Sequence, residues 1–375
     1  MRIVHILAYF KEDVAYQENY LTVGQKELGN EVYVVTSQLE PDFGVNSESR
    51  VHALGTYDYH GVTIIRTIKR IEFKNKFIIF KGLYRQLEKL KPDLIFFHDH
   101  SPELLTCVKY IKKHKGTRLR VDIHSSKDNS MHTLLGKIYF GVVWRAIIKH
   151  IQKYYDKLFC IAPECIDFAT DIFKIAPDKI DFMPLPGDAS YLRDYEANRK
   201  KVRTELGFSD DETVIYHTGK LPGTKKTKEV LQAFDELGLK NVKLYIWGFI
   251  SEDFRPILDH FLEKNSNIHY QGWVSAKQLK WYLLGADALL QPGGPSNTFI
   301  EAICCGVPLV LANNGQGREL CKMQNGYLID NVSTETIRRA IEYIAKPEEI
   351  SRMRRNAFEA SKEYHYVEVA RKSLS

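Results

Sequence analysis

Residues 286–311 read ADALLQPGGPSNTFIEAICCGVPLVL, and the punctuation inside this stretch decides the fold. An apolar run from Ala286 to Leu290 stops at Pro292-Gly293-Gly294-Pro295. Thr298-x-x-Glu301 follows with the spacing of a helix-start box, in which the hydroxyl accepts an N–H of the first turn and the carboxylate reaches back. Gly306 then stands where a left-handed helix terminus is expected, with Pro308 beyond it. The stretch predicts strand, glycine loop, short helix, strand. That order turns the free N–H groups and positive dipole end of the helix toward the mouth of a parallel sheet, which makes an anion site suited to phosphate.

The same alternation continues on both sides. Upstream, Val214–Thr218 reads as a strand, Gly219–Lys226 (GKLPGTKK) as a basic glycine loop and Thr227–Leu237 as a helix. Strands at Leu244–Gly248 and Ile268–Tyr270 and helices at Phe254–Leu262 and Ala276–Leu284 lead into the opening stretch, and helices at Glu335–Ile344 and Glu348–Lys362 follow it. In the first half, Ile3–Phe10, Tyr16–Leu28 and Val32–Val35 form a βαβ opening. A helix over Phe77–Leu90 is followed by the strand Leu94–Phe97, which runs into His98-Asp99-His100. The strand Arg118–Ile123 ends in His124, and strands at Lys157–Ala162 and Ile180–Met183 flank a helix at Glu164–Phe173. A Pro-Gly cluster, Pro184 to Asp188, marks a boundary. The fold class is α/β: two doubly wound, Rossmann-like domains facing across a cleft, over residues 1–188 and 189–355, with a helical tail, 356–375, crossing back to the first.

Composition narrows the function. A chain of 375 residues, 44% hydrophobic and 27% charged, is a globular protein long enough for two cores. The net charge of +6 is too weak for a nucleic-acid partner but suits anionic ligands or an anionic membrane surface. Six cysteines without C-x-x-C pairing fit a reducing, cytoplasmic setting. No apolar run is long enough to span a bilayer. The loop after the first strand, Lys11 to Ala15, lacks the G-x-G-x-x-G of a dinucleotide fold, and no Walker loop or nucleophile elbow is present.

Ligands of open α/β sheets bind beyond the carboxyl ends of strands, so His100 and His124 are expected to point at the cleft. His98 and His100 alternate onto one strand face, but two histidines without a third ligand at motif spacing do not make a metal site. Lys220, Lys225 and Lys226 are either diphosphate ligands or solvated surface. Residues 131–157 are apolar and aromatic with Lys137, Arg145, Lys149, Lys153 and Lys157 interspersed. They read equally as an interfacial helix on anionic lipid or as a core-covering helix with a basic edge. Cys304 and Cys305 read as core.

The order GKLPGTKK, then Gln271-Gly272-Trp273-Val274, then the opening stretch, resembles the donor-binding domain of GT-B glycosyltransferases of the retaining, GT4-like group. The first βαβ, the strands near Cys160 and Phe182, and the tail extend the resemblance over nearly the whole chain. It implies that Glu301 holds the donor ribose, and that the acid normally found eight residues earlier is replaced by Gly293. It further implies that Lys220 and Lys225 take the diphosphate, with Gly219, Lys226, Gly294, Ser296, Asn297 and Thr298 around it and Trp273 and Val274 near the base. His124 is matched to the family's active-site histidine, which contacts the donor sugar. Tyr16, in the altered first loop Val14-Ala15-Tyr16, and His100 fall on the acceptor or sugar side.

The implied reaction moves a sugar from a UDP- or GDP-linked donor to a glycan or lipid-linked hydroxyl, with retention, without metal or cofactor, on the cytosolic face of a membrane. Two alternatives stay open: a non-catalytic GT-B scaffold that binds nucleotide or glycan, and a GT-B phosphorylase or epimerase.

Overall fold

The computed structural model describes residues 1–40, 50–73 and 77–375, and the chain divides into two compact units. The first comprises Met1–Pro184 with Val369–Ser375, the second Leu185–Glu368. Each is built on a sheet covered on both faces, which is why its central strands read as continuous apolar runs.

In the first unit eight strands lie in the order Ile180–Phe182, Lys157–Cys160, Arg118–Ile123, Leu94–His98, Arg2–Ile6, Glu31–Ser37, Val62–Thr67, Gly55–Tyr59. All pair in parallel except the last, which returns antiparallel as an edge. Val4, Ile6, Phe97 and Val121 fill one face, while Ile3, Phe96 and Phe159 fill the other. The chain order reverses direction between Arg2–Ile6 and Leu94–His98, which places a ligand-binding crevice at their carboxyl ends. The second unit is wholly parallel, in the order Ile268–Gly272, Val242–Ile250, Thr213–Leu221, Ala288–Gln291, Leu309–Ala312, Gly326–Ile329. Numbered within the unit this is 3-2-1-4-5-6, the nucleotide-binding order, and its reversal falls between Thr213–Leu221 and Ala288–Gln291.

Several elements differ from expectation. Phe77–Leu90 is not one helix: Phe77–Phe80 pairs as a strand with Lys69–Phe73, and the helix Leu83–Leu90 begins only after Gly82 at φ +86. The β-preferring run FIIF decides the local outcome. The strand after Asp211 continues through Gly219, Lys220 and Leu221, which pair with Gly248, Phe249 and Ile250. Residues 131–157 form short helices, Leu134–Ile138 and Arg145–Ile151, joined by a π-helical turn, Tyr139–Trp144. The boundary lies at Pro184/Leu185, ahead of Gly187, whose N–H and carbonyl bond Tyr364 and Tyr366 within the second unit. The helix Pro347–Tyr364 stays with that unit because Phe358 and Tyr364 pack in its core; only from Val369 does the chain group with the first unit. All six cysteines are buried free thiols, and among the described residues no helix is long and apolar enough to cross a membrane.

Candidate active site

In the second unit the two strands at the reversal are tied by a side chain. Gln291 is fully buried; its Nε2 donates to the Thr218 carbonyl at 2.7 Å and its Oε1 accepts from the Thr218 N–H at 3.2 Å. Beyond that tie the backbone needs glycine. Gly219 and Gly248 lie at φ +126 and +144, and a Cβ at Gly248 would fall on the Gly219 carbonyl. His217, neutral because burial lowers it to about 4, donates from Nδ1 to the Leu290 carbonyl at 2.8 Å and accepts the Thr227 hydroxyl at 3.1 Å. It thereby pins the start of the helix Thr227–Leu237 to the neighbouring strand.

The loop from Leu221 to Lys226 then lays Lys225 against the glycine loop of the opening stretch. Lys225 is buried, and its ammonium donates to the carbonyls of Gly294 at 2.8 Å and Pro295 at 2.7 Å. Among the described residues it forms no ion pair with a carboxylate, and burial pushes it down to about 8. The close approach requires the glycine at 293. A Cβ there would fall on the Thr224 carbonyl and the Lys225 Cα, and the Gly294 N–H donates to the same Thr224 carbonyl at 2.9 Å. The missing carboxylate is therefore the condition for seating Lys225, and no side chain fits at that position without moving the loop.

The helix Thr298–Cys304 corrects the expected start box. Asn297 is the N-cap residue, in helical conformation and without a side-chain cap bond; Thr298 is already the first helical residue, and Ser296 Oγ accepts its N–H at 3.4 Å. Glu301 is thus one residue too deep to close a box. It is buried beside Lys280, which is itself buried and ion-paired with Asp188. Burial lowers the Lys280 pKa, but Glu301 and Asp188 outweigh it and hold the ammonium charged. The sequence reading missed Lys280, Asp188 and Gln291.

The remaining expected residues scatter more. Lys220 is exposed at its strand end, and Lys226 is exposed at φ +61 and paired with Glu229 at 3.1 Å. Trp273 is 65% exposed just past the strand Ile268–Gly272, an open indole face with Val274 half-buried beside it.

The first unit carries its own polar cluster at the reversal. Asp122 is fully buried. Its Oδ2 accepts from Gln17 Nε2 at 2.9 Å and His98 Nδ1 at 2.7 Å, and its Oδ1 from the Asp99 N–H at 2.9 Å, with His124 Nε2 at 3.5 Å. Burial alone would raise this carboxyl, but His98 and His124 hold it far below the usual carboxylate range. Against desolvation, Asp122 in turn pushes His124 up to about 9. The His124 ring is 37% exposed, so solvent tempers that effect.

The chain of bonds behind His98 fixes the tautomer of His5. The Ser373 hydroxyl donates to the Ala370 carbonyl at 2.6 Å, so its oxygen accepts from Gln25 Nε2 at 2.9 Å. The Gln25 carbonyl then faces His5 Nε2 at 2.7 Å, which must donate, leaving His5 Nδ1 to accept from His98 Nε2 at 2.9 Å. On its other side His98 Nδ1 meets the Asp122 carboxylate at 2.7 Å. His5 stays neutral, since desolvation and the His98 charge lower it to about 3.

The ligand atoms of His98, Asp122 and His124 lie within 4.8 Å of one another, close enough for a metal ion. Each Asp122 oxygen already faces two donors and both His98 nitrogens are engaged, so these groups form a hydrogen-bond network, and we assign them no metal role.

His100 does not join His124. Asp99 at φ +61 breaks the strand alternation, and the His100 ring is buried among Trp144, Tyr155 and Phe173 with no hydrogen bond to the described residues, 3.8 Å from Asp99 Oδ1. Tyr16 caps the helix Gln17–Glu27, its carbonyl accepting from Asn19 and Tyr20. Glu18, in the first turn of that helix and missed by the sequence reading, has its carboxyl raised by desolvation against the opposing charges of His98 and His124.

Comparison with known proteins bears on the family and the fold. The family model described as "Glycosyl transferases group 1" matches residues 198–363, and "Glycosyltransferase Family 4" matches residues 19–190. No curated protein matches the sequence. Among solved structures, the HepE protein of Anabaena in complex with UDP is 14% identical with a TM-score of 0.70, over 100% of this chain and 98% of that one. A glycosyltransferase from Rickettsia africae is also 14% identical, with a TM-score of 0.70 over 100% and 96%. Sucrose-phosphate synthase from Thermosynechococcus elongatus is 13% identical, with a TM-score of 0.69 over 100% and 97%. These likenesses show a shared fold of two Rossmann-like domains. The two family models lie end to end along the sequence, and the chain belongs to the GT4-like glycosyltransferases of the GT-B fold.

Proposed function

We propose that this glycosyltransferase moves a hexosyl group from a UDP- or GDP-linked sugar to a hydroxyl of a growing glycan or glycolipid, with retention at the anomeric carbon and without a metal ion. The observation that carries the reading is Lys225, a buried cation whose ammonium donates to two carbonyl oxygens and, among the described residues, pairs with no carboxylate. A diphosphate arriving there supplies the missing counter-charge, and it gains negative charge as the glycosidic bond breaks, so the interaction is strongest in the transition state. One such preorganised donor is worth about 2.7–4 kcal/mol. Lys220 adds a second cation, Trp273 offers a stacking face for the base, and Glu301 takes the ribose hydroxyls. His124 is assigned to the donor sugar. His100, enclosed by aromatic rings, has no part in this reading.

Gly293 favours a second reading, a scaffold that binds nucleotide without transfer, because the position of the usual acid is sterically closed. A melting-temperature screen with UDP, GDP, ADP and dTDP in chelator, followed by donor turnover with the selected base, separates the two. A nucleotide at about a hundred times its Kd adds about 2.7 kcal/mol to the native state. Stabilisation with turnover supports transfer; stabilisation without transfer or donor hydrolysis, over a panel of sugars and acceptors, supports the scaffold.

A further inference from the structure

The first unit exposes a cluster of large apolar side chains that its core does not explain. Leu134 is 74% exposed and Val142 62%, and Leu135, Ile138 and Val143 are exposed beside them in sequence. The inner side of the same segment is fully used: Trp144, Ile148 and Ile151 are buried in the core, and Tyr139 and Phe140 pack against it. The π-helical turn Tyr139–Trp144 holds one residue more per turn than an α-helix, so Val142 and Val143 both face outward while Trp144 still reaches the core. A core-covering helix accounts for the inner face and for solvated lysines. It does not account for exposed leucines and valines on the outer one.

Charge selects the occupant. Lys137, Arg145, Lys149 and Lys153 are exposed along the same segment, and residues 129–155 contain no aspartate or glutamate. The outer side is thus apolar toward its start and cationic toward its end. A second copy of this chain, meeting the patch about a twofold axis, would set the same cations against one another with no acid in the segment to pair them.

We propose that residues 134–153 dock on an anionic lipid bilayer. Leu134, Leu135, Ile138, Val142 and Val143 enter the boundary between headgroups and acyl chains, and the four cations meet lipid phosphates. Binding of this kind does not depend on sugar transfer.

The test is co-sedimentation of the full chain with phosphatidylcholine vesicles, with and without phosphatidylglycerol. The wild type pellets with the anionic vesicles, and rising salt releases it. Lys149→Gln with Lys153→Gln weakens partitioning about fivefold for each charge removed, and Lys149→Arg with Lys153→Arg does not. Leu134→Ser with Leu135→Ser also reduces it, with an unchanged melting temperature because both side chains are exposed. Val142→Trp places an indole at the patch whose emission shifts to the blue on anionic vesicles. Absence of binding to anionic vesicles, or full binding by the Leu134→Ser, Leu135→Ser variant, overturns the proposal. So does a dimer, seen by sedimentation velocity, that the same double substitution dissolves.

Discussion

The Lys225 assignment makes a quantitative demand on pH. In the unliganded protein burial sets this ammonium at about 8 instead of its ordinary 10.5. A diphosphate binds the charged form, so affinity follows the fraction protonated, roughly nine-tenths at pH 7 and one-tenth at pH 9. The affinity of the selected nucleotide therefore falls about tenfold between those pH values, ~1.4 kcal/mol, with most of the change above pH 8. Isothermal titration calorimetry at pH 7, 8 and 9 measures it, and at pH 8 two buffers of different ionisation enthalpy reveal uptake of about half a proton on binding. Lys225→Met keeps a side chain of similar length without the charge. It should bind about tenfold to a hundredfold more weakly and lose the extra pH dependence, which also corrects for titration of the nucleotide itself. Equal affinity in wild type and Lys225→Met, or the same pH slope in both, refutes the reasoning.

Three further outcomes follow from the geometry. Lys225 holds its proton more weakly folded than unfolded, so between about pH 8 and 10.5 the unfolded chain carries more protons and unliganded stability rises with pH. Over that window the rise attributable to this group is roughly 3 kcal/mol, from 10.5 to about 8 at ~1.4 kcal/mol per tenfold, and urea midpoints of Lys225→Met should lack it. Gly293→Glu restores the residue type usual in the family, yet it should lower the melting point and weaken nucleotide binding, because its Cβ meets the backbone of Thr224 and Lys225; unchanged stability would show that the loop is not seated as described. In long-range 1H–15N spectra at pH 7, His5 should be neutral with its proton on Nε2, and Gln25→Leu, by removing the acceptor that fixes this tautomer, should disturb it. A charged His5, or one protonated on Nδ1, in the wild type would contradict the proton assignment.

The large features were legible because they are local. The glycine loop, Gly306 and the alternation of apolar strand runs with helices carry their own turn chemistry, and these place the second unit's reversal where the opening stretch lies. What escaped depends on contacts distant in sequence. Lys225 could be recognised as a candidate cation, but its burial depends on Gly293 and on the carbonyls of Gly294 and Pro295, far along the chain. Glu301 looked like a capping partner because spacing alone cannot show that Asn297 is already helical. His98 and His100 looked equivalent until Asp99 proved left-handed.

Two signals of the first unit's network were present and unread. Gln17, Asn19, Thr22 and Gln25 put polar groups on the buried side of a helix that should be apolar there, and Asp122 sits inside an otherwise apolar strand. Both are departures from amphipathic patterning of the sort that accompanies function. The surface of residues 131–157 was read in outline. The π-helical turn that concentrates the apolar residues at 134–143 has no sequence signature of its own.

The most direct test of the central claim is nucleoside diphosphate release, followed by chromatography, from a panel of UDP- and GDP-linked sugars in chelator with wild type and Lys225→Met. The account predicts that a donor of one base is turned over by the wild type and that turnover falls at least a hundredfold in the variant. Wild-type turnover that persists undiminished in Lys225→Met, or nucleotide binding with no turnover of any donor, would contradict it.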